Sequence, residues 1–371
     1  MQVALIQDWL TGMRGGEKCL EVFCELFPEA TLFTLLHKRG ALSPTIERMK
    51  IRTSFVQRFP KAEAWYRNYL PFFPAAIEEF DLREFDLVLS SSHCVAKGII
   101  PAPNALHLCY CHTPMRYIWD VYHHYFGREQ VGALARLALP YFANYLRLWD
   151  VASSQRVDHF IANSQHVQRR IRRYYRREAE VIHPPVDTAQ FPLAEGHDGY
   201  YLIVSALVPY KRVDLAVEAF NRLGERLVII GDGPGLKALQ KIARQNIEFI
   251  GWQDQIALVS YYTRCRALIF PGEEDFGIVP LEAQACGKPV IAYASGGALE
   301  TVKGPRLEES ICTGVFFDQP TPESLIDAVH RLAAIDFDPR QIRRHALQFD
   351  REIFKAKIKR FVTEKYEQHQ T

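Results

Sequence analysis

The stretch PGEEDFGIVPLEAQACGKPVIAYASGG, at residues 271–297, decides the fold of this chain. The apolar run before it, residues 267–270, predicts a buried strand that Pro271 and Gly272 end. Residues 276–285 predict a helix, which Gly287 caps and Pro289 prevents from continuing. Residues 289–293 predict the next strand. A strand, a helix and a second strand in this order predict two parallel neighbours in one sheet.

Two acidic residues lie in this unit, Glu274 in the loop before the helix and Glu282 within it. The free backbone N–H groups of the first helical turn carry partial positive charge and suit a phosphate. Glu274 is then placed to bind the hydroxyls of a sugar, and Glu282 to accept a hydrogen bond from a ribose. The alternative is an acid near the positive end of a helix and a second acid facing solvent.

The same stretch resembles the signature of the retaining glycosyltransferases of family 4, the group 1 type with the GT-B fold. In that signature two acids are separated by seven residues, with Phe-Gly after the first and Gly-x-Pro-Val-Ile beyond the second. Here the matching segments are 274–277, 282–291 and the Ser-Gly-Gly of residues 295–297. The resemblance extends over nearly the whole chain and is most specific at residues 201–297.

Strand and helix patterns alternate through both halves of the chain, which predicts an α/β protein with two doubly wound parallel sheets. The resemblance implies the GT-B fold, with two Rossmann-like domains facing across a cleft. We expect an acceptor-side domain at residues 1–190 and a nucleotide-sugar-binding domain at 191–350. Residues 351–371 are expected to form a C-terminal helix that returns to the N-terminal domain.

Composition narrows the classes of protein that fit. The chain has 371 residues, a formal net charge of +2 and eight cysteines. This small basic excess gives no reason to expect nucleic acid as a partner. No apolar run approaches the ~20 residues of a membrane span, and the first residues lack the basic start of a signal peptide. We therefore expect a cytoplasmic protein with reduced thiols.

Two features of the N-terminal half are candidate site residues. Gly15 and Gly16 lie between a first strand and a helix, where glycine lets a diphosphate approach the backbone; a flexible turn is the alternative. His112 follows a predicted parallel strand, at the edge where open α/β sheets bind ligands. The resemblance implies a glycine-rich loop and an active-site histidine at these places, with His93 as a second choice for the histidine.

The pattern Cys109-x-Cys111-His112 resembles one ligand group of a metal site. No second ligand pair stands at a suitable spacing, so we interpret these cysteines as core thiols on a strand.

Residues 60–76 and the basic run 168–177 suggest a surface for lipid. Aromatic and basic residues are mixed in the first segment, and six arginines crowd the second. Such segments suit an anionic membrane or a lipid-linked acceptor. Core packing of the aromatics, and a solvated helix face or a nucleic-acid stripe for the arginines, are the alternatives.

The resemblance breaks at one position in the second half. Members of the family carry an arginine and a lysine that neutralise the diphosphate of the donor. The lysine matches Lys211, but Ala206 stands where the arginine is expected. Arg212 is a candidate replacement. The loss keeps open a second hypothesis, a donor-binding but catalytically inactive subunit or sensor.

Two other motifs predict different chemistry. Gly231-x-Gly233 with Asp254 is similar to the fingerprint of nicotinamide-dependent oxidoreductases, although Pro234 interrupts it and the third glycine is one residue early. Asp336-Phe337-Asp338 matches the D-x-D of metal-dependent glycosyltransferases. It follows a surface helix, away from the predicted strand ends, and we interpret it as chance.

The resemblance implies a retaining, metal-independent hexosyltransferase whose co-substrate is a nucleoside diphosphate sugar, with no other cofactor. Residues 110–117 and 209–212 are most similar to bacterial mannosyltransferases of O-antigen and exopolysaccharide synthesis, which implies GDP-mannose and a glycan or polyprenyl-linked acceptor. We then expect the diphosphate to be bound by Lys211, Arg212, the Gly15-Gly16 loop and the helix amides. Glu274 and His112 are expected near the sugar. The amides are those of Phe276, Gly277, Ile278 and Val279.

Overall fold

The computed structural model describes residues 1–120, 133–305 and 311–371. The chain divides into two compact units. Unit 1 contains Met1–Pro184 together with Phe354–Thr371, and unit 2 contains Pro185–Ile353.

The divisions between the units differ by a few residues from the predicted bounds 190/191 and 350/351. Val186 forms an isolated bridge with Asp350. Its N–H donates to the Phe349 carbonyl at 3.0 Å, and its own carbonyl accepts from the Arg351 N–H at 3.0 Å. These two hydrogen bonds join the segment that enters unit 2 to the segment that leaves it. Both segments therefore belong to unit 2.

The described residues of unit 1 form a seven-stranded parallel sheet in the order β3-β2-β1-β4-β5-β6-β7. The strands are β1 Val3–Gln7, β2 Thr31–Thr34, β3 Lys50–Thr53, β4 Leu87–Ser92, β5 Leu106–Cys111, β6 His159–Ala162 and β7 Ala179–Val181. The central strands are buried along their whole length. This burial is typical of a parallel sheet, since helices cover both of its faces.

Helices of unit 1 include an amphipathic first helix and a long last one. The α-helices are α1 Gly15–Leu26, α2 Pro44–Glu47, α3 Ala62–Trp65, α4 Phe73–Glu78, α5 Arg116–Trp119, α6 Ala133–Ser154, α7 Gln165–Tyr175 and the terminal Arg351–Gln370. Phe354, Ile358 and Phe361 of the terminal helix are buried in the same cluster as Phe23 of α1. This apolar stripe attaches the end of the chain to unit 1.

The described residues of unit 2 form a six-stranded parallel sheet in the order β10-β9-β8-β11-β12-β13. The strands are β8 Tyr201–Val204, β9 Leu227–Ile230, β10 Ile247–Gly251, β11 Ala267–Phe270, β12 Val290–Tyr293 and β13 Gly314–Phe317. The described helices between them are α8 Val213–Leu223, α9 Leu236–Ile242, α10 Gln255–Arg264, α11 Ile278–Ala285 and α12 Ala298–Thr301, and α13 Pro322–Ala333 and α14 Pro339–Ala346 follow β13. The strand order reverses between β8 and β11, which is where such sheets bind ligands.

Both units are therefore doubly wound α/β domains of the Rossmann type, as the alternating patterns predicted. Among the described residues, no helix is both long and apolar enough to cross a bilayer.

Ser90 and His107 form a buried polar pair in the sheet of unit 1. The Ser90 hydroxyl lies 2.9 Å from Nε2 of His107, and Nδ1 of His107 lies 3.1 Å from the Arg156 carbonyl oxygen. Burial lowers the pKa of His107 to about 4, so the ring is neutral in the folded protein at neutral pH.

This histidine predicts a pH dependence of stability. The folded chain binds the proton less readily than the unfolded chain, so the stabilisation is complete above about pH 6.5 and is lost as the pH falls towards 4. The loss should reach about 3 kcal/mol of unfolding free energy. Urea unfolding at pH 7, 5.5 and 4 checks this in the wild type and in His107→Gln, which cannot titrate. Parallel pH profiles for the two proteins would contradict the assignment.

Candidate functional site

Three loops meet at the carboxyl ends of β8, β11 and β12 in unit 2. A Cβ atom at Gly272 would lie 2.9 Å from the backbone of Lys211. A Cβ atom at Gly297 would lie 2.3 Å from Cα of Phe276, and the Gly297 N–H donates to the Glu274 carbonyl at 2.8 Å. These contacts leave no room for a side chain, so glycine is required for the loops to pack backbone against backbone.

This packing places a cation beside a carboxylate. Nζ of Lys211 forms an ion pair with a carboxylate oxygen of Glu274, and the two side chains are only 16% and 21% exposed. Lys211 ends the short 3₁₀ turn Pro209–Lys211, and Glu274 lies four residues before α11. The two residues are 63 apart in the sequence, so the structure brings together two separately predicted site residues.

The helix predicted after Glu274 begins at Ile278, two residues later than expected. Gly277 precedes it with φ of +96°, a left-handed conformation that turns the loop into the helix. The side chain of Phe276 is buried against Phe349. The first-turn N–H groups, including that of Val279, therefore follow directly on the loop that carries Glu274, and they suit an anionic ligand.

Glu282 is almost completely buried in α11. One of its carboxylate oxygens accepts a hydrogen bond from the Tyr262 hydroxyl at 2.9 Å. Burial, with the Glu282 charge next to it, raises the pKa of Tyr262, so the phenol keeps its proton and continues to donate. Sequence analysis did not identify Tyr262. The Tyr261-Tyr262 pair gives no indication of which ring points inwards.

Arg212, the predicted candidate for the missing charge, forms an ion pair with Asp214. Its backbone is left-handed, with φ of +52°, and it forms the N-cap of α8. The guanidinium pairs with Asp214 at 3.3 Å, on the exposed surface of its own helix. The charge that was expected to compensate for Ala206 is therefore already partnered by a carboxylate.

A second group of polar residues lies at the carboxyl ends of β1, β4 and β5 in unit 1. A Cβ atom at Gly16 would lie 3.5 Å from Nε2 of His112 and 3.7 Å from Nε2 of Gln7. Ser91 places its hydroxyl oxygen 2.9 Å from Nε2 of His112. Gly15, the first residue of α1, and Gly16 thus begin a helix whose N-terminus lies beside the predicted histidine.

Gln7 is a residue of this group that sequence analysis missed. It is 0% exposed, and neither atom of its amide has a hydrogen-bond partner among the described residues. An unsatisfied buried polar group costs about 1–3 kcal/mol. A glutamine at the end of a strand, one residue before a polar loop, was the only sequence signal for it.

His93, the second choice for the active-site histidine, is bound to Asp8. The buried carboxylate of Asp8 accepts N–H bonds of 2.6–3.0 Å from four consecutive residues and lies 3.0 Å from Nδ1 of His93. Those residues are His93, Cys94, Val95 and Ala96. Burial opposes ionisation of Asp8, but His93 and the amides outweigh it and lower its pKa. The pair anchors the loop after β4 to the end of β1.

Three alternative motifs have structural roles. Asp254 caps α10 by accepting from the Ala257 N–H at 2.8 Å, so the ribose acid of the nicotinamide motif is used as a helix cap. Asp338 of the D-x-D caps α14 in the same way, by accepting from the Arg340 N–H at 2.8 Å. Cys109 and Cys111 are buried on β5, and burial raises the pKa of both thiols.

The two segments considered for lipid binding are partly structural. In the aromatic segment Tyr66 and Phe73 are buried, whereas Trp65 and Phe72 are 49% and 48% exposed. In the basic run Arg170 is held by Asp120 and Thr113, and Arg177 is held by three backbone carbonyls. Arg169, Arg172, Arg173 and Arg176 remain exposed, so both segments keep exposed side chains.

Two sequence models of known families match the chain. The model described as Glycosyl transferases group 1 matches residues 187–348, and the model described as Glycosyltransferase Family 4 matches residues 29–190. Together they cover most of both units.

Individual proteins agree with the family matches. The chain is 32% identical over 183 residues to a GDP-mannose-dependent alpha-(1-6)-phosphatidylinositol monomannoside mannosyltransferase of Mycobacterium tuberculosis, covering 41% of this chain and 46% of that protein. It is 31% identical over 150 residues to an uncharacterized glycosyltransferase of Methanocaldococcus jannaschii, covering 39% and 42%. The matched segment is thus less than half the length of these curated relatives. Anabaena HepE, solved in complex with UDP, has the same fold, with a TM-score of 0.68, 15% identity and coverage of 98% and 100%.

The contrast between Lys211 and Arg212 makes a prediction about anion binding. Lys211→Met should weaken the binding of GDP or UDP by at least about tenfold, the scale of one lost hydrogen bond to a charged group. Arg212→Met removes the same charge from the neighbouring residue and should weaken binding less than about threefold, because its guanidinium is bound to Asp214 and exposed. Isothermal titration calorimetry at fixed salt measures both. Equal losses would show that Arg212 does contribute to the anion site.

Proposed function

Because the chain belongs to the family 4 glycosyltransferases that carry a group 1 domain and has the GT-B fold, we propose that it transfers a hexose from a nucleoside diphosphate sugar with retention of anomeric configuration. Mannose from GDP-mannose is the proposed donor, since the mycobacterial relative is named for that substrate. The observation that carries the proposal is the Lys211–Glu274 pair at the carboxyl edge of the unit 2 sheet.

The diphosphate is the leaving group, and negative charge grows on it as the bond to the sugar breaks. Preorganised donors that face this charge lower the barrier. In unit 2 we assign this role to the Nζ of Lys211 and to the first-turn amides of α11. In unit 1 we assign it to the N-terminus of α1 at Gly15 and Gly16. With these donors the reaction needs no metal ion.

The sugar ring flattens and gains positive charge in the transition state. We assign the carboxylate of Glu274 to its hydroxyls, where a negative charge counts for more in the transition state than in the ground state. Glu282, which also accepts a hydrogen bond from the Tyr262 hydroxyl, is assigned to the ribose. In unit 1 His112 is assigned to the reacting sugar or the acceptor.

The proposed acceptor is a glycan or polyprenyl-linked alcohol of cell-surface polysaccharide synthesis, with the protein in the cytoplasm and peripheral on the membrane. Trp65 is about half exposed, and the ammonium of Lys61 lies 4.5 Å from the centroid of its ring. An exposed indole beside a cation suits the interface of an anionic bilayer.

The proposal is tested by donor choice. The purified protein should be heat-stabilised by GDP-mannose and GDP, since a ligand that binds the native state raises the unfolding midpoint. It should release GDP from GDP-mannose when a membrane lipid extract is supplied, and EDTA should not change the rate. UDP-glucose is the control donor. Turnover of UDP-glucose alone would overturn the choice of donor, and loss of activity in EDTA would overturn metal independence. Binding without turnover would identify a donor-binding, inactive subunit, the hypothesis that Ala206 keeps open.

Membrane contact is tested with vesicles. The protein should sediment with anionic vesicles at low salt and be released at high salt, because screening weakens exposed charges. Trp65→Ala should reduce binding severalfold, since an interfacial indole is lost. Trp252→Ala, at a tryptophan of unit 2 that is 76% exposed, is the matched control and should bind as the wild type does. Equal binding to neutral vesicles, or equal loss in both variants, would contradict this surface.

A further inference from the structure

Two adjacent serines of β4 each bond to a histidine. Successive side chains of a strand point to opposite faces of the sheet. Ser90 and Ser91 are both completely buried, and their hydroxyl oxygens lie 2.9 Å from Nε2 of His107 and of His112 respectively. The same strand therefore makes the same contact twice, once on each face.

The surroundings of the two histidines differ. His107 lies inside β5, is 0% exposed, and has its other ring nitrogen on the Arg156 carbonyl. His112 follows the last residue of β5, and its ring is only half buried, beside Gly16 at the N-terminus of α1. The first histidine is part of the core, whereas the second lies at the edge where the sheet meets ligands.

The backbone of His112 is fixed on both sides. Its N–H donates to the Ser92 carbonyl at 2.8 Å, and its carbonyl accepts from the Asn163 amide at 3.0 Å. Asn163 in turn accepts a hydrogen bond from the Ser164 hydroxyl at 3.1 Å. With the main chain held, the rotation of the ring depends on its packing and on its hydrogen bonds. The ring packs edge-on against Tyr110, with centroids 5.1 Å apart, and its Nε2 meets the Ser91 hydroxyl.

We propose that Ser91 is a positioning residue for His112. Its hydroxyl fixes the rotation of the imidazole and engages Nε2 in a hydrogen bond within the protein. The inference rests on the role proposed above for His112 in hexosyl transfer. A ligand bound at this edge meets a ring that is already oriented, and the reaction does not have to order it. Ser90 holds His107 in the same way, but His107 is buried in the core, away from the edge where ligands bind.

Steady-state kinetics on matched variants tests the proposal. Ser91→Ala should lower kcat by about tenfold, the scale of one hydrogen bond at 1.4 kcal/mol per decade, with little change in the KM for donor. Ser91→Thr keeps the hydroxyl and should restore most of the rate. Ser90→Ala removes the equivalent bond on the other face and should leave kcat within about twofold, although both alanine variants lower the unfolding midpoint. Assays are run below all midpoints.

A double-mutant cycle separates positioning from a general structural effect. In a His112→Ala background, Ser91→Ala should cost no further rate, because there is no ring left to orient. If Ser91→Ala still lowered kcat by the same factor in that background, or if Ser90→Ala lowered it equally, the proposal would be overturned.

A readout without turnover distinguishes failure of this inference from failure of the proposed function. The ring signals of His112, followed by NMR and assigned with His112→Ala, should shift in Ser91→Ala and stay fixed in Ser90→Ala, because only the first variant removes the hydroxyl at Nε2. An inactive wild type with this shift would refute hexosyl transfer and retain the Ser91 contact. An active wild type without the shift, and with normal kcat in Ser91→Ala, would retain the function and refute the positioning role.

Discussion

The architecture of the unit 2 site depends on close approach of backbone to backbone at the carboxyl ends of three strands. Gly272 and Gly297 allow this approach, since a Cβ at either position would lie within 3 Å of the neighbouring main chain. The loop that carries Glu274 is thereby held against the turn that ends at Lys211. A carboxylate and an ammonium that face each other in a partly buried position attract each other, and this pair keeps both side chains at the edge of the sheet where such folds bind ligands.

Both units collect their polar groups at the same edge of the sheet. In unit 1 these are Gln7, Ser91 and His112, each at or just beyond the end of a strand. In unit 2 they are Lys211 and Glu274, which follow strands on either side of the point where the strand order reverses. The central strands β1, β4 and β5 are otherwise buried, so these polar groups lie at the positions where a parallel sheet exposes its loops.

The sequence was sufficient for the two parallel sheets and most helices, because these follow from local patterns. Apolar runs, the Gly287 cap and Pro289 mark β11, α11 and β12 without knowledge of the rest of the fold. It was not sufficient for side-chain partners. Tyr262 and Glu282 are 20 residues apart, and Ser91 and His112 are 21 apart, so each contact depends on the packing or register of whole elements. The pairing of Arg212 with Asp214 was likewise not predicted, since it accompanies a left-handed backbone at Arg212 that no local pattern showed.

The central claim is that the Lys211–Glu274 pair opens to receive the donor, with the cation going to the diphosphate and the carboxylate to the hexose. A crystal structure with GDP-mannose bound tests it most directly. The account predicts Nζ of Lys211 within about 2.7–3.2 Å of a diphosphate oxygen, with Glu274 turned to the hydroxyls of the sugar. A donor bound elsewhere, with the Lys211–Glu274 ion pair unchanged, would contradict it.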